Sequence, residues 1–225
     1  MDSYSELYDV VEVQQTFYEP PQVSTMQKWR RAVPDEFEFT LKAWQIITHE
    51  AKSPTYRRLK RELTEQERTE CGAFRDTRMV REAWERTVEC AEALDAKRIL
   101  FQCPASFKPT DSNIENMREF FTNIGRRGLQ LYWEPRGKDW TEELCASVCA
   151  ELKILHVVDP FVSATVTPKL TYYRLHGKGG WRYVYSDADL EGLAEQMPRA
   201  GSAYVFFNNI KMRQDALRFK ELLKG

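Results

Sequence analysis

Two periods run through this chain. In short windows apolar and polar residues alternate, and between those windows apolar residues recur every three or four positions. Residues 9–18 place Val11 and Val13 on one side and Glu12 and Gln14 on the other. Residues 37–42 set Phe37, Phe39 and Leu41 against Glu38, Thr40 and Lys42. Residues 129–134 set Leu129, Leu131 and Trp133 against Gln130, Tyr132 and Glu134. Windows at 98–102, 153–159, 170–176 and 203–208 complete a set of seven predicted strands.

Helical spacing fills the intervals. Residues 3–8 read as a short helical stretch. Ser24 is placed to cap a helix carrying Met26, Trp29 and Val33, stopped by Pro34. Residues 76–96 put Val80, Trp84, Val88 and Ala91 on one face. Ser112 and Glu115 spell a capping box before Ile114, Met117, Phe121 and Ile124, and Gly128 closes that helix. Asp139 and Glu142 are placed to cap a helix with Leu144 and Val148. Ser186 and Asp189 do the same for Leu190, Leu193 and Met197, and residues 211–223 form a last helix. Residues 56–71 are highly charged and read as a solvated helix or excursion. Strands alternate with helices without a hairpin signal, which predicts a parallel α/β sheet. No linker interrupts the pattern, so one domain over residues 1–225 is expected.

The strands end alike. Their last residues are Glu12 with Gln14, Lys42, Gln102, Glu134 with Arg136, Asp159, Arg174 with His176, and Asn208. Each polar group falls on the face opposite the bulky series. In a closed barrel the apolar parity faces the helices and the other parity points inward, so these groups would meet at the C-terminal mouth, where barrel enzymes carry their sites. An open doubly wound sheet would gather only a few of them. The expected architecture is a TIM-barrel-like (β/α) barrel with seven recognisable parallel strands.

Composition narrows the function without naming it. Lys and Arg number 33 against 34 Asp and Glu, so no global field advertises nucleic acid or an anionic membrane. No apolar run reaches the ~18 residues of a membrane span. The first ten residues lack the basic and apolar regions of a signal peptide. Cys71, Cys90, Cys103, Cys145 and Cys149 are an odd set without framework spacing, which reads as reduced thiols in a cytoplasmic protein.

Seven segments together resemble the DUF72 (YecE-like) family: residues 11–18 (VEVQQTFY), 37–49 (FEFTLKAWQIITH), 99–104 (ILFQCP), 133–140 (WEPRGKDW), 172–177 (YYRLHG), 183–190 (YVYSDADL) and 204–209 (YVFFNN). The resemblance implies a TIM-barrel-like fold with a polar mouth and brings no established reaction. It points at Glu12, Lys42, His49, Gln102, Glu134, Arg136, Arg174, His176, Tyr185 and Asn208. Family members usually begin with a strand of the form G-x-S-G-W. Here the usual first strand is expected to be missing, which leaves an open seam between the strands at Val11 and Tyr204 and an edge for a homodimer.

Chemically, Arg174, Arg136 and Lys42 suit capture of a small carboxylate or phosphate. Glu134 and His176, with Glu12, suit proton transfer, and Gln102, Asn208, Tyr185, Asp159 and His49 suit substrate positioning. Such a set serves a hydrolase, lyase or isomerase acting on a polar metabolite. Glu134, Asp159 and His176 are metal-compatible types, but the neighbouring cations argue against an ion, and no metal or cofactor is named. Gly177, Gly179 and Gly180 offer either an anion cradle, extended by the helix start at Ser186, or a flexible loop. The runner-up is a nucleic-acid barrel using Arg57, Arg58, Lys60, Arg61, Arg126 and Arg127, with Tyr18, Trp44, Trp133, Trp140, Trp181 and Tyr185 as stacking platforms. A non-catalytic ligand-binding protein is the third reading. The 57–61 run is expected to be a solvated helical face.

Overall fold

The computed structural model describes residues 2–198 and 202–224. The chain divides into two compact units, Met1–Ile154 and Leu155–Gly225.

In the first unit, β1 (Val10–Val13), β2 (Glu38–Lys42), β3 (Arg98–Gln102) and β4 (Gln130–Glu134) lie parallel in that order. The register sets Glu12 beside Thr40, Lys42 beside Leu100, and Gln102 beside Glu134. Phe101 shows which face meets the helices. Its ring lies 5.9 Å from Trp84 on helix Arg78–Leu94, and 5.7 and 5.1 Å from Phe120 and Phe121 on helix Asp111–Asn123. The neighbouring Leu100 and Gln102 take the opposite parity. Both faces of β3 are covered, since Leu100 and Phe101 are equally buried, and the strand therefore reads as a continuous apolar run rather than an alternation.

In the second unit, β5 (Leu155–Val158), β6 (Leu170–Leu175) and β7 (Ser202–Phe207) are parallel in that order. Their core gathers Val158, Tyr173, Leu175 and Phe207 with Leu190 and Leu193 of helix Asp187–Glu195 and Phe219 of helix Met212–Leu222. No helix lies between β5 and β6.

The seven strands are those the alternation predicts, but their boundaries and caps move. The strand expected over 9–18 stops at Val13, because Gln15–Tyr18 turns helical and Thr16 Oγ1 donates to the carbonyls of Val13 and Lys42 at 3.0 and 2.8 Å. Ser24 is not a cap: it lies inside helix Val23–Arg31, whose cap position is Gln22, two residues earlier, without a side-chain cap bond. Thr110, not Ser112, caps Asp111–Asn123, and Ile124 rather than Gly128 ends it. Thr141, not Asp139, caps Glu142–Leu152. In these helices the hydroxyl sits nearest the orphan N–H of the third helical residue, so a threonine just upstream takes the cap. The capping box of Ser186 and Asp189 forms as expected. The basic run is no helical face, since Pro54–Arg58 is a tight 3-10 turn and the helix that follows spans only Glu65–Glu70.

Candidate functional site

The first unit carries five of the expected site residues at or just past the ends of its strands, Glu12, Lys42, Gln102, Glu134 and Arg136, and a sixth, His49, after the short helix Gln45–Thr48. Glu12, Lys42 and Glu134 are 7, 3 and 5% exposed, which is rare for charged side chains unless they are paired. Lys42 Nζ donates to Gln102 Oε1 at 2.9 Å and lies 4.0 Å from the centre of the Phe17 ring. Glu12 accepts from the Gln14 amide. Glu134 Oε1 takes both Arg136 Nε, at 3.1 Å, and Nη2, at 2.9 Å. Arg136 is the half-exposed charged group of this set, so its guanidinium joins the buried carboxylate to solvent.

His49 adds a neutral group to this charged set. It is buried, edge-on to Phe17 at 4.9 Å, with Nδ1 2.8 Å from Thr48 Oγ1. Burial first, and then the charges of Lys42 and Arg136, lower its pKa to about 3. At neutral pH it is a hydrogen-bonding imidazole and not a proton carrier. Its position is set by Gly72, whose φ of +86° and whose missing Cβ, which would sit 2.5 Å from Glu50 N, let the chain pass against the His49 backbone.

In the second unit the expected residues are tied mainly to backbone. Asp159 Oδ2 accepts from His176 N at 2.8 Å and Oδ1 from Phe161 N at 3.0 Å. Tyr185 is buried in the core, and its hydroxyl accepts from Gly177 N at 2.9 Å. Burial, reinforced by the Asp159 charge, raises its pKa well above the ordinary phenol value, so it stays protonated. Arg174 is buried at 2% exposure on β6, His176 follows it half-buried, and Asn208 is half-buried with its N–H donated to Leu175 O at 2.8 Å.

The glycine loop is not an open cradle. Gly177 N is used by Tyr185, and Gly180 N donates to Gly177 O at 3.0 Å. A Cβ on Gly177 (φ +86°) would meet Gly180 O at 2.3 Å, so the glycine serves the turn itself. The helix start beyond it is filled by its capping box and carries Asp187 and Asp189 in its first turn, which repels anions. Asp189 is held well below the usual carboxylate range: burial pushes it up, but bonds from Lys178, Tyr183 and Ser186 outweigh that.

Among the described residues no three His, Cys, Asp or Glu side chains gather as a metal site. All five thiols are free and buried. Burial raises Cys145 to about 11 and Cys149 to about 12, and Cys103 accepts the Trp133 indole N–H at 3.3 Å, so these are core residues. Of the proposed stacking aromatics, Trp133, Trp140 and Tyr185 are also buried, while Trp181 is exposed. No helix of the described residues is long and apolar enough to cross a membrane.

Against known proteins, the family model described as "Protein of unknown function DUF72" matches residues 1–225. The chain belongs to the DUF72 family. A DUF72 family protein from Enterococcus faecalis V583 is 21% identical with a TM-score of 0.74, covering 100% of this chain and 93% of that one. Another from Thermotoga maritima MSB8 is 25% identical with a TM-score of 0.71, covering 97% of this chain and 85% of that one. A xylose isomerase domain containing protein from Salmonella typhimurium LT2, 12% identical, has a TM-score of 0.59 over 100% of this chain and 92% of that one. The fold of this DUF72 chain is therefore a TIM-barrel-like (β/α) barrel with seven parallel strands. No curated protein matches it in sequence.

Sequence reasoning overlooked a buried polar network in the second unit of this DUF72 chain. Asp215, 1% exposed, accepts from Asn209 Nδ2 at 2.6 Å, Tyr185 N at 3.4 Å and Arg218 Nη1 at 2.9 Å. Asn209 Nδ2 also donates to Tyr183 O at 2.8 Å. A signal was present: Asp215 lies four residues before the buried Phe219, on the apolar stripe of its helix. In the first unit Gln45 was likewise missed. It is fully buried, with Nε2 bonded to Tyr18 O at 2.9 Å.

Proposed function

We propose that this DUF72 protein binds a small polar anion at its strand ends and carries out acid/base chemistry on it. The supporting observation is the set of Glu12, Lys42 and Glu134, all buried, and joined to Gln14, Gln102 and Arg136 by side-chain bonds. Desolvating such charges costs several kcal/mol per ion, and well-packed apolar residues of similar size often stabilise a core better. A set retained at that cost is better explained by chemistry than by stability.

In this reading Lys42 and Arg136 hold the anion, Glu134 transfers the proton, Glu12 is the second carboxylate, and Gln102 and neutral His49 orient the ligand. In the second unit Arg174 suits anion capture and His176 proton transfer, while Asp159, Tyr185 and Asn208 position the chain around them. Residues 1–225 are taken as one working domain. The fold alone is shared with the xylose isomerase domain containing protein, and no sugar chemistry is carried over from it.

A melting-temperature screen of phosphorylated and carboxylated metabolites tests the proposal. Lys42→Met is expected to weaken a hit about tenfold or more, and Glu134→Gln to keep binding but lose turnover by ~10²-fold or more. If both variants respond as the parent does, the strand-end set is structural and the proposal fails.

A further inference from the structure

We infer that the excursion between His49 and Gly72 is a binding site for a compact, multiply charged phosphate anion, distinct from the strand-end groups. The excursion is a closed and anchored loop. Gly72 N donates to Ile46 O at 2.7 Å, Phe74 N to Ile47 O at 2.9 Å, and Tyr56 Oη to His49 O at 2.8 Å. Its short helix Glu65–Glu70 carries a complete capping box between Thr64 and Glu67. Between these anchors lies a basin of about 660 Å³.

The basin is cationic. Five cations, Lys52, Arg57, Lys60, Arg61 and Arg68, line it against two carboxylates, Glu62 and Glu65. Arg61 is engaged by Glu67 at 2.9 Å and Lys52 by Glu50 at 2.7 Å. Arg57, Lys60 and Arg68 have no carboxylate within ion-pair distance among the described residues. Like charges crowded into one concavity repel each other, and an anion bound there relieves that repulsion. Guanidinium groups favour the paired oxygens of phosphate, and the lysine adds a point charge. Lys60 also lines a second hollow of about 540 Å³, where Arg58 faces one carboxylate, Glu19, which accepts from Lys60 N at 3.3 Å, so the excess of positive charge is confined to the first basin.

The same geometry disfavours a nucleic-acid strand. Strand binding uses open aromatic faces for stacking. Here the Tyr18 ring is covered by the Arg58 guanidinium at 3.8 Å, and Tyr56 is half-buried with its hydroxyl committed to His49. What remains is charge in a hollow, which suits a compact ligand such as an oligophosphate.

Calorimetric titration of the full chain with tripolyphosphate at low salt tests this. Saturable binding is expected, weakened about tenfold or more in the double variant Arg57→Ala/Lys60→Ala. That variant should melt as the parent does, because neither side chain holds a carboxylate. Lys42→Met should leave tripolyphosphate affinity unchanged, which separates this site from the strand-end reading. Absence of saturable binding, or binding untouched by the double variant, overturns the inference. Loss of binding in Lys42→Met moves the anion to the strand ends and also overturns it. An oligo-dT strand that displaces tripolyphosphate at lower phosphate concentration makes the basin a nucleic-acid surface instead.

Discussion

At the end of β4, Glu134 accepts from the side chain of Arg136, and at the end of β1, Glu12 accepts from the side chain of Gln14. At the end of β5, Asp159 instead accepts from the backbone N–H groups of Phe161 and His176. The same chemical group, a carboxylate, at the same topological position therefore does two different jobs. A carboxylate bonded to backbone defines the path of the chain, and releasing it means local unfolding. A carboxylate bonded to a side chain exchanges its partner for a ligand by a rotamer change. The first unit's strand ends are the better place to look for chemistry, and much of the second unit's polar set pins loops.

The comparison is most exposed at Asp215, which holds Asn209, Arg218 and the Tyr185 N–H around one buried carboxylate. Asp215→Ala is expected to lower stability by about 3 kcal/mol in urea unfolding, since it strands several partners at once. A variant as stable as the parent would break the view that the polar groups around Asp215 are structural.

His49 gives a comparable effect in the first unit, and only in acid. The folded chain keeps this imidazole neutral down to about pH 3, whereas the unfolded chain protonates it below pH 6.5. The unfolded state binds the extra proton in that window. Stability is therefore complete above pH 6.5 and falls as pH drops, by about 3 kcal/mol at about pH 4. His49→Gln should flatten that part of the stability–pH curve. An unchanged slope would show that neither burial nor the charges of Lys42 and Arg136 hold this side chain neutral in the folded chain.

The smallest effect belongs to Asp159→Ala, about 1–2 kcal/mol for two backbone donors left without their acceptor near the surface. Hydrogen exchange should speed up at the amides of Phe161 and His176. If exchange there stays slow, Asp159 does not pin the loop and becomes a ligand group like Glu134.

The sequence alone was enough for the seven strands and their parallel order, because side-chain alternation is a local property that survives into the fold. It was enough, too, for the parity of the strand-end groups, since Phe101 on one face implies Gln102 on the other. The box at Ser186 was readable for the same reason, being complete within four residues. Helix starts elsewhere were not, because several hydroxyls and carboxylates compete near each end and the path of the chain selects Thr110 over Ser112 and Thr141 over Asp139. Only the tertiary structure could separate Glu134 from Asp159, or Asn208 from the buried Asn209. Hydrogen-bond partners are chosen by residues far away in sequence: Lys42 finds Gln102, and Asn209 finds Tyr183. Likewise the 57–61 run reads as a charged face in one dimension. It becomes a hollow only because Gly72 returns to Ile46 and closes the loop around it.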